Sequence, residues 1–104
     1  MTGITTHVLD TAAGRPAAGV AVRLLRGEAV VAAGATDADG RWVALDGPST
    51  AAGAYRLVFA TADHFGGATF HPQVVVDFTV ADPAEHHHVP LLLSPYGYTT
   101  YRGS

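Results

Sequence analysis

Short runs of β-branched and aromatic residues recur along this chain, separated by breaks that contain Gly, Pro, Asp or Ser. Within the runs the side chains alternate between two faces: Val20, Val22 and Leu24 share one face of an extended strand, as a period of two requires. Many short strands at this spacing are typical of a β-sandwich, so we predict an all-β fold. The predicted strands are residues 4–9, 20–25, 30–35, 41–45, 55–60, 74–80, 87–93 and 98–102.

Two segments need a separate interpretation. Residues 28–35 are rich in alanine, which favours a helix, but the segment is short and ends in the turn at residues 36–40, so we predict a strand. Residues 61–67 favour a helix of one or two turns. Thr61 is a suitable N-cap, Asp63 places a negative charge in the first turn, and two glycines close the segment.

The composition indicates one domain with an apolar interface. A chain of 104 residues fits a single domain, residues 1–104, and is long enough to bury a core without disulfides. Hydrophobic residues make up 48% of the chain and charged residues 14%, which is too apolar for disorder and rich for a small monomer. We therefore expect part of the apolar surface to lie between subunits.

Charge and cysteine content argue against several classes of function. The net charge is -3 and the six cations, all arginine, are scattered, so we expect no nucleic-acid partner. No apolar run approaches the roughly 20 residues of a membrane helix, and the N-terminus lacks a charged and then apolar leader, so we expect no membrane partner and a cytoplasmic location. The absence of cysteine excludes disulfides, thiolate zinc sites and cysteine nucleophiles.

Two candidate functional residues stand on predicted strands near turns. His7 alternates with Thr6 and Val8 and so faces away from them. Arg41 follows an Asp-Gly turn and is expected to share a face with Val43 and Leu45, so its guanidinium reaches either solvent or an anionic partner. The turn resembles the start of a calcium loop, but the remaining ligands and the closing glutamate are missing.

A histidine cluster forms the third candidate. On a strand, His86 and His88 point to one face and His87 to the other. Such a pair can ligate zinc if a third ligand arrives from elsewhere, and His7 is a candidate for it. No carboxylate ligand is obviously placed, so we predict no metal and keep the zinc site as an alternative.

The last eleven residues, 94–104, are dense in polar and aromatic groups. Chain termini usually fray and vary freely. A terminus of this composition, close behind the histidine cluster, predicts a docked tail that helps to build a site.

Four segments together resemble the 5-hydroxyisourate hydrolases, also called transthyretin-related proteins. These segments are Thr6–Asp10, Asp39–Arg41, His88–Pro95 and the terminal Tyr101–Ser104. They occur in order and span essentially the whole chain. The terminal tetrapeptide separates the hydrolases of this family from transthyretin itself.

The resemblance implies a transthyretin-like sandwich of two four-stranded sheets with one short helix, assembled as a homotetramer, a dimer of dimers around a central channel. It implies hydrolysis of 5-hydroxyisourate to 2-oxo-4-hydroxy-4-carboxy-5-ureidoimidazoline in urate breakdown, with no cofactor and no metal. It also implies sites in the channel where subunits meet. The implied site residues are His7, Arg41, His88, Tyr101 and Ser104.

The residue types suit this chemistry. Histidine exchanges protons near neutrality, so we expect His88 to activate water and His7 to position the water or return the proton, with the order of these two roles open. Arg41 would bind the substrate, as Tyr101 would, and stabilise the oxyanion. The hydroxyl or the α-carboxylate of Ser104 would orient a histidine or Arg41.

Two other functions remain alternatives. Transthyretin uses the same channel as a non-enzymatic carrier of a small molecule, and a sandwich of this kind can also be an interaction module. Relatives often carry an aromatic residue where His87 stands, so we expect His87 to affect packing rather than catalysis. His86 is expected either to support His88 or to lie in solvent.

Overall fold

The structure, a computed structural model, describes residues 3–104. In this range the chain forms nine strands and one helix. They are β1 (Gly3–Asp10), β2 (Arg15–Pro16), β3 (Ala21–Arg26), β4 (Ala29–Ala35), β5 (Arg41–Asp46), β6 (Gly53–Phe59), α1 (Thr61–His64), β7 (Val74–Val80), β8 (His86–Leu93) and β9 (Tyr98–Thr100).

The strands form two sheets. One has the order β4-β3-β6-β7 and is antiparallel throughout. In the other, β1 pairs in parallel with β8, and β8 pairs with β9. The opposite edge of β1 is shared between β5, which pairs with Gly3–His7, and the two-residue β2, which pairs with Leu9 and Asp10. The predicted two-sheet sandwich is confirmed, but this second sheet has five strands rather than four because β2 is added at the end of β1.

The core lies between the sheets and follows the alternation of each strand. On β1 the core-facing side chains of Ile4, Thr6 and Val8 are fully buried, while His7 is only partly buried. The largest fully buried side chain is Phe59, at the end of β6. Because every second residue of a strand faces the core, the remaining residues of β1 and β8 line the outer face of the sheet.

Each predicted strand is present, with small changes at the ends. The alanine-rich segment is the strand β4, as predicted. β9 stops at Thr100 rather than at residue 102. Its register with β8 places Tyr101 opposite Pro90, which has no N–H to donate, and the pairing resumes between Gly103 and His88.

The expected N-cap at Thr61 is wrong. The helix begins at Thr61 and its cap position is Ala60, which makes no side-chain hydrogen bond. The hydroxyl of Thr61 is buried and donates to the carbonyl of His71 at 2.6 Å. It therefore ties the helix to the following loop instead of capping it. The helix has four residues, and no helix within residues 3–104 is long and apolar enough to cross a membrane.

The expected shared face of Arg41, Val43 and Leu45 is correct only in part. Val43 lies opposite Thr5 on the outer face, but Leu45 lies opposite Ile4 and packs against the core. The register shifts between Ile4 and Thr5, so β5 has one extra residue there. Such a β-bulge moves all later side chains to the other face.

Candidate active site

The outer face of the β5-β1-β8 segment gathers side chains from both ends of the sequence. Across β1 and β5, His7 lies opposite Arg41. Across β1 and β8, Thr5 lies opposite His88. Because partners in a ladder point to the same face, these residues and His86 share one surface. The structure thus places His7, Arg41 and His88 together, although more than eighty residues separate the two histidines in sequence.

The Asp-Gly turn before β5 sets the position of Arg41. The carboxylate of Asp37 accepts hydrogen bonds from the amides of Asp39 and Arg41 at 2.9 and 3.0 Å. Gly40 has a φ of 75°, and a Cβ there would lie 2.4 Å from the carbonyl oxygen of Val8. Only glycine allows this close approach to β1, which places Arg41 beside the histidines.

One hydroxyl links the two outer histidines of β8. Oγ1 of Thr5 lies 2.7 Å from Nε2 of His86 and 2.8 Å from Nδ1 of His88. The two rings lie 6.0 Å apart between centroids. His87 points the other way, is buried, and donates from Nδ1 to the carbonyl of Glu85 at 3.0 Å. The predicted split of the three histidines between two faces is confirmed.

The electrostatic surroundings of His88 favour its neutral form. Its pKa is lowered from the usual 6.5, first by partial burial and then by the positive charges of His86, His7 and Arg41. Burial removes water from an imidazolium, and neighbouring cations repel it. His88 is therefore a neutral imidazole over a wider range of acidic pH than a solvent-exposed histidine.

His7 has one ring nitrogen already engaged. Its Nε2 lies 2.8 Å from the backbone carbonyl of Asp39, and since a carbonyl can only accept, Nε2 carries the proton. In the neutral ring this leaves Nδ1 as a free acceptor.

The C-terminal tail is docked on the histidines. Gly103 donates its N–H to the carbonyl of His88 at 2.8 Å. A Cβ on Gly103 would lie 2.6 Å from Cδ2 of His88, so the tail backbone rests directly on the imidazole ring. Ser104 then lines a pocket of about 250 Å³ together with Arg41, His86 and His88.

Tyr101 lies apart from this pocket within the protomer. Its side chain is 56% exposed and lines a neighbouring pocket of about 270 Å³ with His87 and Phe78. His88 lines both pockets, so the two pockets adjoin at this residue. The structure therefore brings Arg41, His88 and Ser104 to one pocket, with His7 opposite Arg41 and Tyr101 in the neighbouring pocket.

The zinc alternative lacks a complete set of ligands. Among residues 3–104, no three His, Asp or Glu side chains are grouped so that they could hold a metal ion. His86 and His88 instead share the hydroxyl of Thr5.

Two residues with structural or functional roles were not predicted from the sequence, one in this region and one outside it. Thr5 was not singled out, although its position two residues before His7 places both on one face. His64, on α1, lies outside the site and holds the carboxylate of Asp10 at 2.8 Å. Sequence offers no sign of that pair because 54 residues separate its members.

Comparison with known proteins agrees with the fold. The sequence model described as "Transthyretin: HIUase/Transthyretin family" matches residues 4–103. This chain belongs to that family. The predicted resemblance is therefore confirmed.

Relatives within the HIUase/transthyretin family include hydrolases and transthyretins. The 5-hydroxyisourate hydrolase of Caulobacter vibrioides is 51% identical, over 100% of this chain and 100% of its own. The solved 5-hydroxyisourate hydrolase of Klebsiella pneumoniae matches with a TM-score of 0.90 and 36% identity, over 100% of both chains. A solved transthyretin from Sparus aurata also reaches a TM-score of 0.90, with 29% identity over 99% of this chain and 97% of its own.

Proposed function

We propose that this protein hydrolyses 5-hydroxyisourate to 2-oxo-4-hydroxy-4-carboxy-5-ureidoimidazoline. The observation that carries the proposal is a single pocket in which a histidine of lowered pKa lies beside a guanidinium and the docked chain end. Full-length similarity to proteins named 5-hydroxyisourate hydrolase supports it.

His88 acts as the general base in this proposal. It removes a proton from water, whose oxygen then attacks a ring carbonyl carbon of the substrate. The lowered pKa of His88 favours the neutral form that can accept this proton. General base catalysis contributes on the order of 10²–10⁴-fold.

Arg41 supplies the positive charge at the carbonyl oxygen. A guanidinium is charged at every relevant pH and presents a planar set of donors. It therefore binds the oxygen-rich ring of the substrate and stabilises the negative charge that develops when water adds. Its place opposite His7 on the open face of the sheet leaves it accessible to a ligand.

His7 completes the proton transfers. Because its Nε2–H is held by the carbonyl of Asp39, Nδ1 is the atom available to orient the water or, once protonated, to donate to the departing ring nitrogen. As the carbon–nitrogen bond breaks, this nitrogen takes one proton and becomes the ureido group, while the former carbonyl carbon becomes the carboxyl group. His88 and His7 both remain candidates for the donor.

Ser104 orients the catalytic groups in our proposal. It lines the same pocket as Arg41 and His88, and we propose that its hydroxyl or an α-carboxylate at this position is the orienting group. A carboxylate at this place would hold a histidine or Arg41 in position.

A Gly-Ser-Gly extension after Ser104 should therefore reduce kcat strongly while leaving the melting temperature unchanged. Ser104→Ala serves as the matched variant, because it removes the hydroxyl and keeps the carboxylate. Full activity in both variants would contradict a catalytic role for Ser104.

We further propose a homotetramer with the site at a subunit interface. Val43 lines this pocket and Tyr101 the neighbouring one, and their side chains are 52% and 56% exposed. Exposed apolar surface in both pockets agrees with an interface there. In such an assembly Tyr101 of one protomer would contact substrate. Analytical ultracentrifugation tests the assembly, and a monomer at micromolar concentration would contradict it.

The decisive experiment follows the decay of 5-hydroxyisourate generated freshly from urate and urate oxidase. We expect the wild-type protein to accelerate the decay, and His88→Asn and Arg41→Ala to lose about 100-fold or more of that acceleration. A chelator should leave the rate unchanged. Decay at the spontaneous rate in the presence of folded wild-type protein would contradict the proposal.

A carrier of the transthyretin type is the second candidate, since the fold matches a transthyretin with a TM-score of 0.90. The same experiment separates the two functions. A carrier would bind a small aromatic ligand without accelerating the decay. The cationic and imidazole groups of the pocket favour the hydrolase.

A further inference from the structure

The hydroxyl of Thr5 lies between two imidazoles. The role inferred for it below rests on the proposed function, in which His88 is the general base. Oγ1 lies within hydrogen-bond distance of Nε2 of His86 and Nδ1 of His88. Thr5 is only 9% exposed, so little water competes for the hydroxyl. Pairing of Thr5 with His88 across the β1–β8 ladder fixes the separation of the three groups.

A hydroxyl has one proton to donate and can also accept. With both rings neutral, Thr5 donates to one ring and accepts an N–H from the other. Two arrangements satisfy both hydrogen bonds. In the first, Nδ1–H of His88 donates to Thr5, and Thr5 donates to Nε2 of His86. In the second, Thr5 donates to Nδ1 of His88, and Nε2–H of His86 donates to Thr5.

The two arrangements give His88 opposite chemistry. In the first, Nδ1 carries the proton and Nε2 has a free lone pair, which a general base requires. In the second, Nε2 carries the proton, and the neutral ring cannot accept one from water through that atom. Protonation of His86 favours the second, because Nε2–H of the imidazolium then donates to Thr5.

We propose that Thr5 and His86 are positioning residues that hold neutral His88 in the tautomer with the proton on Nδ1 and a free lone pair on Nε2. They act through His88 and need not contact substrate. The surroundings of His88 agree with its neutral state: burial and then the neighbouring His86, His7 and Arg41 lower the pKa of His88. Asp46, at the far end of β5, is engaged by the amide of Ser49.

Nitrogen-15 NMR of the histidine rings in the wild-type protein tests the tautomer directly. At a pH where His88 is neutral, we expect its Nδ1 to show the shift of a protonated nitrogen and its Nε2 that of a bare one. In Thr5→Val, which keeps the shape and removes the hydroxyl, the Nε2–H form should rise. Wild-type His88 in the Nε2–H form would overturn the proposal, whatever the variant does.

Steady-state kinetics provide the second readout. Thr5→Val should lower kcat about tenfold or more with KM changed less than about twofold, while Thr5→Ser, which keeps the hydroxyl, should retain most of kcat. Thr11→Val is the matched control, since its hydroxyl donates to the carbonyl of Leu93 at the other end of the β1–β8 pair, and we expect wild-type kinetics. Equal kcat in Thr5→Val and wild type would overturn the proposal.

The two proposals fail in different ways. If the wild-type protein does not accelerate the decay of 5-hydroxyisourate, the proposed function fails, and the NMR tautomer still decides the role of Thr5. If it accelerates the decay but His88 carries its proton on Nε2, the function stands and the positioning role fails.

Discussion

Both ends of β1 bind histidine side chains from distant parts of the chain, but the groups around these histidines carry opposite charges. Near its start, Thr5 binds His86 and His88 among cations, and the pKa of His88 is lowered. At its end, the carboxylate of Asp10 accepts a hydrogen bond from His64 at 2.8 Å. There burial acts to raise the pKa of Asp10, but the hydrogen bonds from His64 and Ala13 outweigh it, and the pKa is lowered.

The difference shows that the role of a partly buried histidine depends on the group that binds it, here a hydroxyl at one end and a carboxylate at the other. The His64–Asp10 pair is closed, because Phe65 packs edge-on against the His64 ring at 4.8 Å and Asp10 is buried. Its hydrogen bonds are used to anchor α1 to β1. At the other end of β1, a neutral hydroxyl binds the rings and a pocket remains open beside them. That end is suited to proton transfer and the Asp10 end to stability.

Apart from replacing His88 or Arg41 themselves, the largest effect should come from breaking the contact between the tail and His88. In Gly103→Ala the new Cβ would lie 2.6 Å from Cδ2 of His88, so the tail must move away. We expect kcat to fall about 10- to 100-fold, because small displacements of catalytic groups have effects of this size. Gly97→Ala is the control, since its Cβ would meet only Oγ of Ser94 at 3.9 Å. Wild-type activity in Gly103→Ala would show that the docked tail is not needed.

The pH dependence of kcat/KM tests the electrostatic difference between the two ends of β1, because it reports the pKa of His88. Because its pKa is lowered, we expect kcat/KM to stay high below pH 6.5 and to decline only at lower pH. His86→Gln removes a neighbouring positive charge, so the pKa of His88 should rise and the acidic limb should move to higher pH. An acidic limb that moves to lower pH in this variant would contradict the assignment of His88 as the base.

At the Asp10 end the expected effect is on stability. Asp10→Ala removes hydrogen bonds to His64 and Ala13 and should lower the free energy of unfolding at pH 7 by about 1–3 kcal/mol. Since the pKa of Asp10 is lowered from 3.8 in the folded state, its contribution is present above that value and is lost as the pH falls through the folded pKa. Chemical denaturation at several pH values should show the difference from wild type shrinking below pH 3.8. A difference that grows there would contradict a hydrogen-bonded Asp10 carboxylate.

The smallest effect is expected on the outer face of the other sheet. Arg56 and Asp77 form a bidentate pair across β6 and β7, but both side chains are more than half exposed. Exposed pairs contribute little because water screens them. Arg56→Gln should therefore leave both kcat and the melting temperature unchanged, as calorimetry and the decay assay would show. A clear loss of activity would mean that the outer face of this sheet also contributes to function.

The sequence was sufficient for the strands and for the faces of the histidines because both depend on local periodicity. His87 is buried and His86 and His88 face outward, as alternation alone requires. The meeting of His7 with His88 followed from the family resemblance, since no local rule predicts which strands pair. Thr5 could not be predicted from the sequence, because its contacts are with ring nitrogens of His86 and His88, which lie more than eighty residues further along the chain.

Local chemistry therefore determined the elements: alternating runs, a turn at Asp37–Gly40 that needs glycine, and a tail rich in polar groups. Tertiary structure decided what those elements do. Parallel pairing of β1 with β8 brings the two ends of the chain together, and the bulge in β5 turns Leu45 into the core while Arg41 stays outside. The physical reason is range: steric preferences and periodicity act within a few residues, whereas register, burial and charge coupling are fixed only when distant strands pack.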